Sequence, residues 1–148
     1  MKKLLVTGGA GFIGANFVHY WLESYPQDKV VVLDALTYAG NVASLEPVAK
    51  NRNYSFCHGN ICDTDLVESL IKEHKIDTIV HFAAESHVDR SIDGPDAFIE
   101  TNIIGTHSLL KAAKKVWIDE PKSQGEAPLT HRFHHVSTDE VYGDLGPE

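Results

Sequence analysis

The feature that most constrains the fold of this chain is a glycine-rich turn placed between an apolar segment and an amphipathic helix. Residues Lys3–Thr7 are largely apolar and end in β-branched side chains, which is typical of a buried strand. Gly8, Gly11 and Gly14 follow, and apolar residues recur at helical spacing over Phe12–Ser24. This order predicts the first half of a dinucleotide-binding βαβ unit, in which glycines let the backbone turn tightly and approach a pyrophosphate.

An acidic residue stands where such a unit binds the adenosine ribose. Val30–Leu33 is a continuous apolar strand, and it ends at Asp34, 20 residues after Gly14. A carboxylate there accepts hydrogen bonds from the ribose hydroxyls and repels a 2′-phosphate, so we predict NAD as the cofactor in preference to NADP. The alternative is an aspartate that only closes the loop after the strand.

The remaining pattern alternates strands with helices. Further strands are predicted at Tyr54–Cys57, Thr78–Ala83 and Arg132–Ser137. One helix is capped by Asp63 or Thr64 and runs to about His74, and another covers Asp96–Val116, with a short helix around Ala43–Lys50 and a surface loop over Asp119–Thr130. The alternation predicts the α/β class, with a Rossmann-type doubly wound parallel sheet. Because such a sheet usually has at least one more strand, we expect residues 1–148 to be one NAD-binding domain, truncated before its last strand or strands.

Composition and charge argue against several partners and sites. The net charge is −8, which disfavours binding to nucleic acid or anionic membranes, and no apolar run approaches the ~18 residues of a transmembrane helix. Cys57 and Cys62 are expected to be reduced thiols, and no signal peptide is visible, so we expect a cytoplasmic protein. His131, His134 and His135 would point to different faces of a strand, so we predict no metal site.

Two polar segments follow strands at the predicted carboxyl edge of the sheet, where open α/β folds bind ligands. One is His81–Ser91 and the other is Ser137–Gly143. The second contains the adjacent Asp139 and Glu140, two carboxyl groups that could act as an acid and a base if their surroundings separate their pKa values. From the spacing alone, an acidic surface turn or a helix cap is the favoured interpretation.

Four segments together resemble the dTDP-glucose 4,6-dehydratase family of extended short-chain dehydrogenase/reductases. They are Thr7–Gly14, Asp34–Asn41, His81–Ser91 and Ser137–Gly143, and the resemblance runs along essentially the whole chain. It implies an NAD-dependent oxidation at C4 of the glucose in dTDP-glucose, loss of water across C5 and C6, and reduction at C6. It also implies that a Tyr-x-x-x-Lys pair and the substrate-binding region lie beyond Glu148, so we expect this chain alone to be inactive.

The resemblance assigns roles to individual residues. Asp139 would be the acid and Glu140 the base of the elimination, while Thr138 and Ser86 would contact the sugar. The acid role requires that burial or the charge of Glu140 keep Asp139 protonated. Asn60 departs from the family, which usually has Gly-Asp-Ile where this chain has Gly-Asn-Ile. The expected cofactor-binding residues are Gly8, Gly11, Phe12, Ile13, Gly14, Asp34, Ala35, Leu36, Thr37, Asn60, Ile61, Phe82, Ala83, Ala84, Glu85, Ser86 and Thr101.

The resemblance also implies an assembly, and it leaves alternatives open. Members of the family use the outer face of the helix that corresponds to Asp96–Val116 in a dimer interface, so a homodimer is expected of the full-length enzyme. The alternatives are a sibling 4,6-dehydratase or epimerase of UDP- or CDP-sugars, and a non-catalytic NAD-binding module. The Asp139–Glu140 pair speaks against such a module, and the lack of a usable Tyr-x-x-x-Lys pair speaks for it.

Overall fold

The computed structural model describes residues 1–127, 129–143 and 146, without the side chains of Val88, Arg90, Asp93 and Glu140. Among these residues, five parallel strands form one sheet in the order β3-β2-β1-β4-β5. The strands are β1 at Lys3–Thr7, β2 at Lys29–Asp34, β3 at Tyr54–His58, β4 at Thr78–His81 and β5 at Arg132–His135. This strand order confirms the predicted doubly wound Rossmann-type fold.

Helices and helical turns connect the strands. They are α1 at Phe12–Ser24, a 3₁₀ helix at Val42–Val48, α2 at Thr64–His74 and a short α3 at Val88–Asp93. Asp63 caps α2, because its side chain accepts a hydrogen bond of 3.0 Å from the Leu66 N–H. The 3₁₀ helix confirms the predicted short helix in the loop after β2, whereas α3 was not predicted.

The last long helix differs from the prediction at its C-terminal end. It runs without a break over residues 95–123, in α-helical turns at Pro95–Phe98, Thr106–Lys114 and Glu120–Ser123 and π-helical turns at Ile99–Gly105 and Lys115–Asp119; we call it α4. The surface loop predicted from Asp119 is therefore wrong as far as Ser123. Two contacts hold the extension: the buried Trp117 donates to the Ile76 carbonyl at 2.9 Å, and Lys72 pairs with Glu120 at 2.6 Å.

Two strands end earlier than predicted. β4 ends at His81 instead of Ala83, and β5 ends at His135 instead of Ser137. The register explains both ends, because Thr7, the last residue of β1, pairs with His81, which in turn pairs with His135. One more amide follows each end, from Phe82 to the Thr7 carbonyl and from Val136 to the His81 carbonyl, and the regular pairing stops there.

Two apolar clusters pack on opposite faces of the sheet. On one face, α1 covers strand residues that include Leu4, Val6, Val30 and Val32. On the other face, α2 and α4 cover the alternate strand residues, including Leu5, Val31, Leu33 and Ile79. The two faces of the β1 and β2 strands are thus both buried, as their continuous apolar runs predict. Among the described residues, no helix has the length and apolar character needed to cross a membrane.

Candidate functional site

The segments singled out from the sequence meet at one edge of the sheet. The glycine turn follows β1, Asp34 ends β2, Phe82 follows β4 and Thr138 follows β5. All of these strands are parallel, so their carboxyl ends share that edge. β4 lies between β1 and β5, and adjacent strands are about 4.8 Å apart, which puts the turn after β5 roughly 10 Å from the glycine turn.

The glycine turn is shaped by the strand beside it. Gly8 has φ of +69°, and its N–H donates to the Leu33 carbonyl at 3.0 Å. A Cβ at Gly8 would lie 2.6 Å from the Ala83 nitrogen, so both the backbone angle and the close approach require glycine. A Cβ at Gly14 would overlap the Gly8 carbonyl oxygen. These two glycines are therefore needed for the fold of the turn itself.

Gly11 differs from those two glycines. Its φ of −75° and ψ of 169° suit any residue, and a Cβ there would meet only the Gly8 carbonyl oxygen, at 3.3 Å. Among the described residues, packing constrains this position much less than it constrains Gly8 and Gly14. The space that a Cβ would enter lies at the start of α1, where a bound phosphate would approach the backbone.

The N-terminus of α1 has the properties of an anion site. First-turn N–H groups have no partner within a helix, and no side chain of the described residues caps α1 at Gly11. Phe12 and Ile13 are the first two residues of the helix, and they are 85% and 64% exposed. Uncapped amides and the positive end of the helix dipole favour a phosphate there.

Asp34 is buried at the end of β2 and binds two backbone amides. Its Oδ2 accepts from the Ala10 N–H and its Oδ1 from the Leu36 N–H, each at 2.8 Å. The carboxylate thus joins the glycine turn to the loop after β2, where Leu36 has an unusual φ of +51°. Each carboxylate oxygen retains a lone pair beyond these bonds, so closing the loop leaves acceptor capacity for a ribose hydroxyl.

The predicted adenine-side residues divide between surface and core. Ala35 is half-buried and Thr37 is exposed in the loop after β2. Asn60 is exposed and its Oδ1 accepts from the Cys62 N–H at 2.9 Å. The Ile61 side chain is 4% exposed and packs into the core on the α2 and α4 face, so it is directed away from solvent. Only the backbone at Ile61 is left to meet a ligand at this edge.

The segment after β4 is fastened to β1 and to α4. The Phe82 N–H donates to the Thr7 carbonyl at 3.0 Å. The Asn102 side-chain amide accepts from the Glu85 N–H at 2.8 Å and donates to the Glu85 carbonyl at 2.9 Å. Ala84 and Ser86 are exposed on either side of Glu85, and Thr101 precedes Asn102 on α4. The sequence analysis missed Asn102. Its position one residue after Thr101 was the signal that could have indicated it.

The predicted catalytic turn follows β5. The Val136 N–H donates to the His81 carbonyl at 3.1 Å, and a 3₁₀ turn then covers Asp139–Val141. The Thr138 Oγ1 lies 3.4 Å from the Asp139 Oδ1. Asp139 is exposed, so the described residues do not provide the burial that the acid role calls for. The Glu140 side chain lies outside what the structure describes.

A buried histidine that the sequence analysis did not use lies beneath this edge. His81 is 1% exposed, with Nδ1 2.7 Å from the Thr7 hydroxyl and Nε2 3.0 Å from the Thr106 hydroxyl. Burial, with a smaller contribution from His135, lowers the pKa of His81 to about 4. The ring is therefore neutral at neutral pH. A histidine at the end of an apolar strand was the only signal in the sequence.

Comparison with known proteins gives consistent matches. The family model described as GDP-mannose 4,6 dehydratase matches residues 5–148. The dTDP-glucose 4,6-dehydratase of Salmonella typhimurium is 51% identical over 144 residues, which are 97% of this chain and 38% of that protein. The chain thus spans well under half of the length of this relative.

Solved structures of the same kind of enzyme also match. The dTDP-glucose 4,6-dehydratase of Bacillus anthracis in complex with NAD has a TM-score of 0.80 and 44% identity, covering 100% of this chain and 41% of that one. The Streptomyces venezuelae enzyme with NAD and TYD bound has a TM-score of 0.81 and 49% identity, covering 99% and 42%. These matches confirm the resemblance read from the sequence motifs and the fold.

Proposed function

The chain belongs to the GDP-mannose 4,6 dehydratase family, and we propose that it is the NAD-binding part of a dTDP-glucose 4,6-dehydratase. One observation carries the proposal: the glycine turn, Asp34, the segment after β4 and the turn after β5 share one edge of a parallel sheet. A cofactor gripped after β1 and a sugar held after β5 would then lie within the roughly 10 Å that separates these turns.

The residues at the start of α1 fit a dinucleotide. Uncapped first-turn amides would hold the diphosphate, and Gly11 leaves its approach open. The buried Asp34 carboxylate would accept a ribose hydroxyl and repel a 2′-phosphate, which favours NAD over NADP. When bound, NAD supplies the reversible transfer of a hydride to and from the sugar ring. The relatives from Bacillus anthracis and Streptomyces venezuelae are described with NAD bound.

The turn after β5 would carry the elimination. In this proposal Thr138 and Ser86 hold the sugar, Asp139 protonates the departing C6 hydroxyl, and Glu140 removes the C5 proton, so that water leaves. Asp139 is exposed among the described residues, so the burial that the acid role calls for must come from elsewhere. We therefore propose that bound substrate, together with a region that the longer relatives possess, covers Asp139 and keeps its proton in place.

The first experiment tests the cofactor. NAD and NADP are titrated separately into the purified chain by calorimetry, and unfolding in urea is followed in parallel to show that the chain is folded. We expect NAD to bind at least tenfold more tightly than NADP, because the Asp34 carboxylate repels a 2′-phosphate. In Asp34→Asn this preference should fall. A folded chain without affinity for NAD would contradict the proposal.

The second experiment tests the chemistry in a chimera, in which this chain replaces the matching residues of the Salmonella typhimurium enzyme. We expect it to convert dTDP-glucose to the 4-keto-6-deoxy product. In the chimera, Asp139→Asn should slow the elimination far more than the first hydride transfer, which is followed by absorbance of the reduced cofactor. Asp65→Asn, a change on the surface of α2, is the matched control.

The outcomes separate the alternatives. Equal loss of both steps in Asp139→Asn would contradict the acid assignment. A chimera that binds NAD but forms no product would favour a non-catalytic module. Turnover of a UDP- or CDP-sugar in preference to dTDP-glucose would favour a sibling enzyme.

The outer face of α4 supports a homodimer as part of the proposal. Ile99, Ile103, Ile104 and Leu110 are each about half exposed, at 50%, 60%, 51% and 48%. A row of apolar side chains on one helix is unfavourable in water and is typical of an interface. Sedimentation of the chimera should show a dimer, and Ile103→Glu should convert it to a monomer. A chimera that is monomeric at micromolar concentration would contradict this part.

A further inference from the structure

His81 contacts three elements beneath the site, namely β1, α4 and the end of β5. Its two ring nitrogens bond to Thr7 in β1 and Thr106 in α4, at 2.7 and 3.0 Å. Its ring centroid lies 5.1 Å from that of His135 in β5. Its own backbone carbonyl accepts from the Val136 N–H at 3.1 Å. Among the described residues, His135 is the titratable group that faces the His81 ring.

Thr7 and Thr106 both adjoin segments of the candidate site. Thr7 is the residue before the glycine turn, and its carbonyl accepts from the Phe82 N–H at 3.0 Å. Thr106 lies five residues after Thr101, on the same helix whose Asn102 holds the Glu85 backbone. One side chain thus links the start of the glycine turn to the helix that holds the segment after β4.

The chemistry of the ring suits a fixed link. A neutral imidazole has one donor and one acceptor nitrogen, and each threonine hydroxyl can complement either of them. The ring is 1% exposed, so water does not replace a lost partner, and an unpaired nitrogen there is costly. The two threonines are therefore held at a set separation as long as the ring stays neutral.

We propose that His81 is a positioning residue, which sets the glycine turn and the segment after β4 in the arrangement that NAD requires. The inference rests on the proposed NAD site. It predicts that breaking the link on the α4 side changes cofactor affinity, although Thr106 itself is not among the residues assigned to contact the cofactor.

The test compares Thr106→Val, which removes the hydroxyl, with Thr106→Ser, which keeps it. The control is Ser108→Ala, two residues further along α4, which breaks a hydroxyl bond of 2.8 Å to Thr64. We expect Thr106→Val to raise the Kd for NAD about tenfold, because that change corresponds to the net free energy of about one hydrogen bond. Thr106→Ser and Ser108→Ala should stay within about twofold of the parent chain, even where urea unfolding shows a stability loss for Ser108→Ala.

Amide exchange and nitrogen NMR test the same inference without NAD. Thr106→Val should shift the His81 ring nitrogens and speed exchange of the Phe82 amide about tenfold, while the Val67 amide in α2 stays protected. Equal NAD affinity in Thr106→Val and Thr106→Ser, or equal losses in Thr106→Val and Ser108→Ala, would overturn the inference. If the parent chain does not bind NAD, the proposed function fails. The positioning role of His81 is then still tested by amide exchange, because an unchanged Phe82 exchange rate in Thr106→Val would contradict it.

Discussion

Alanine at two positions of the glycine turn should separate folding from cofactor binding. At Gly14 an added Cβ meets the Gly8 carbonyl oxygen and lies 2.8 Å from the Gly9 Cα, so the backbone must move. Overpacking of this kind costs up to about 3 kcal/mol, and the better helix propensity of alanine offsets about 1 kcal/mol. We therefore expect Gly14→Ala to lower the free energy of unfolding by about 2 kcal/mol.

Gly11→Ala should behave in the opposite way. Its dihedral angles are ordinary, but it is the N-cap of α1, and among the described residues its Cβ meets the Gly8 oxygen at 3.3 Å, so stability should fall by no more than about 1 kcal/mol. The same Cβ would stand in front of the first-turn amides and deny a diphosphate one or two charge-assisted hydrogen bonds. Those bonds are worth about 1.5–3 kcal/mol each, so the Kd for NAD should rise about a hundredfold.

Urea unfolding and calorimetric titration of NAD, measured on both variants, check this pair of expectations. The reasoning predicts a crossed result, in which Gly14→Ala loses stability and Gly11→Ala loses affinity while remaining folded. Parent-like NAD affinity in Gly11→Ala would refute the placement of the diphosphate. Parent-like stability in Gly14→Ala would refute the steric account of the turn.

Two further predictions concern buried polar groups. The pKa of His81 is lowered from 6.5 to about 4, so the unfolded chain binds its proton first, and the contribution of His81 to stability is complete above pH 6.5 and lost as pH falls towards 4. The lowered pKa corresponds to about 3 kcal/mol of unfolding free energy. Between pH 4 and 7, the unfolding free energy of His81→Gln, measured in urea, should therefore depend less on pH than that of the parent chain. An equal pH dependence in the two proteins would contradict this account. Asp34→Asn should cost about 1–3 kcal/mol in urea unfolding, because the amide nitrogen cannot replace the oxygen that accepts from the Ala10 or the Leu36 N–H. Asp65→Asn, an exposed change in the first turn of α2, should cost only about 0.5 kcal/mol.

Local signals in the sequence predicted the first βαβ unit closely. β1 and α1 have the predicted bounds, because an apolar run, a glycine turn and helical spacing are all properties of neighbouring residues. The carboxyl edge was predicted for the same reason, since parallel strands follow from alternation with helices. Strand ends were less predictable: β4 ends at His81 because its neighbour β1 ends at Thr7.

What the sequence could not predict depends on distant contacts. The continuation of α4 past Asp119 depends on Trp117 packing against Ile76, 41 residues away in the chain. Motif resemblance placed Ile61 in the cofactor site, but whether its side chain faces core or edge depends on how α2 and α4 pack. The link between His81 and Thr7 spans 74 residues, and no local pattern encodes it.

The backbone contact between Gly8 and Ala83 sets an order of events during synthesis. The turn after β1 lies against a strand end that emerges from the ribosome some seventy-five residues later, since Gly8 and Ala83 are that far apart in the chain. A nascent chain that has made only β1 and α1 lacks the backbone segment against which Gly8 packs. The contact between the glycine turn and the segment after β4 can therefore form only once residue 83 has been made.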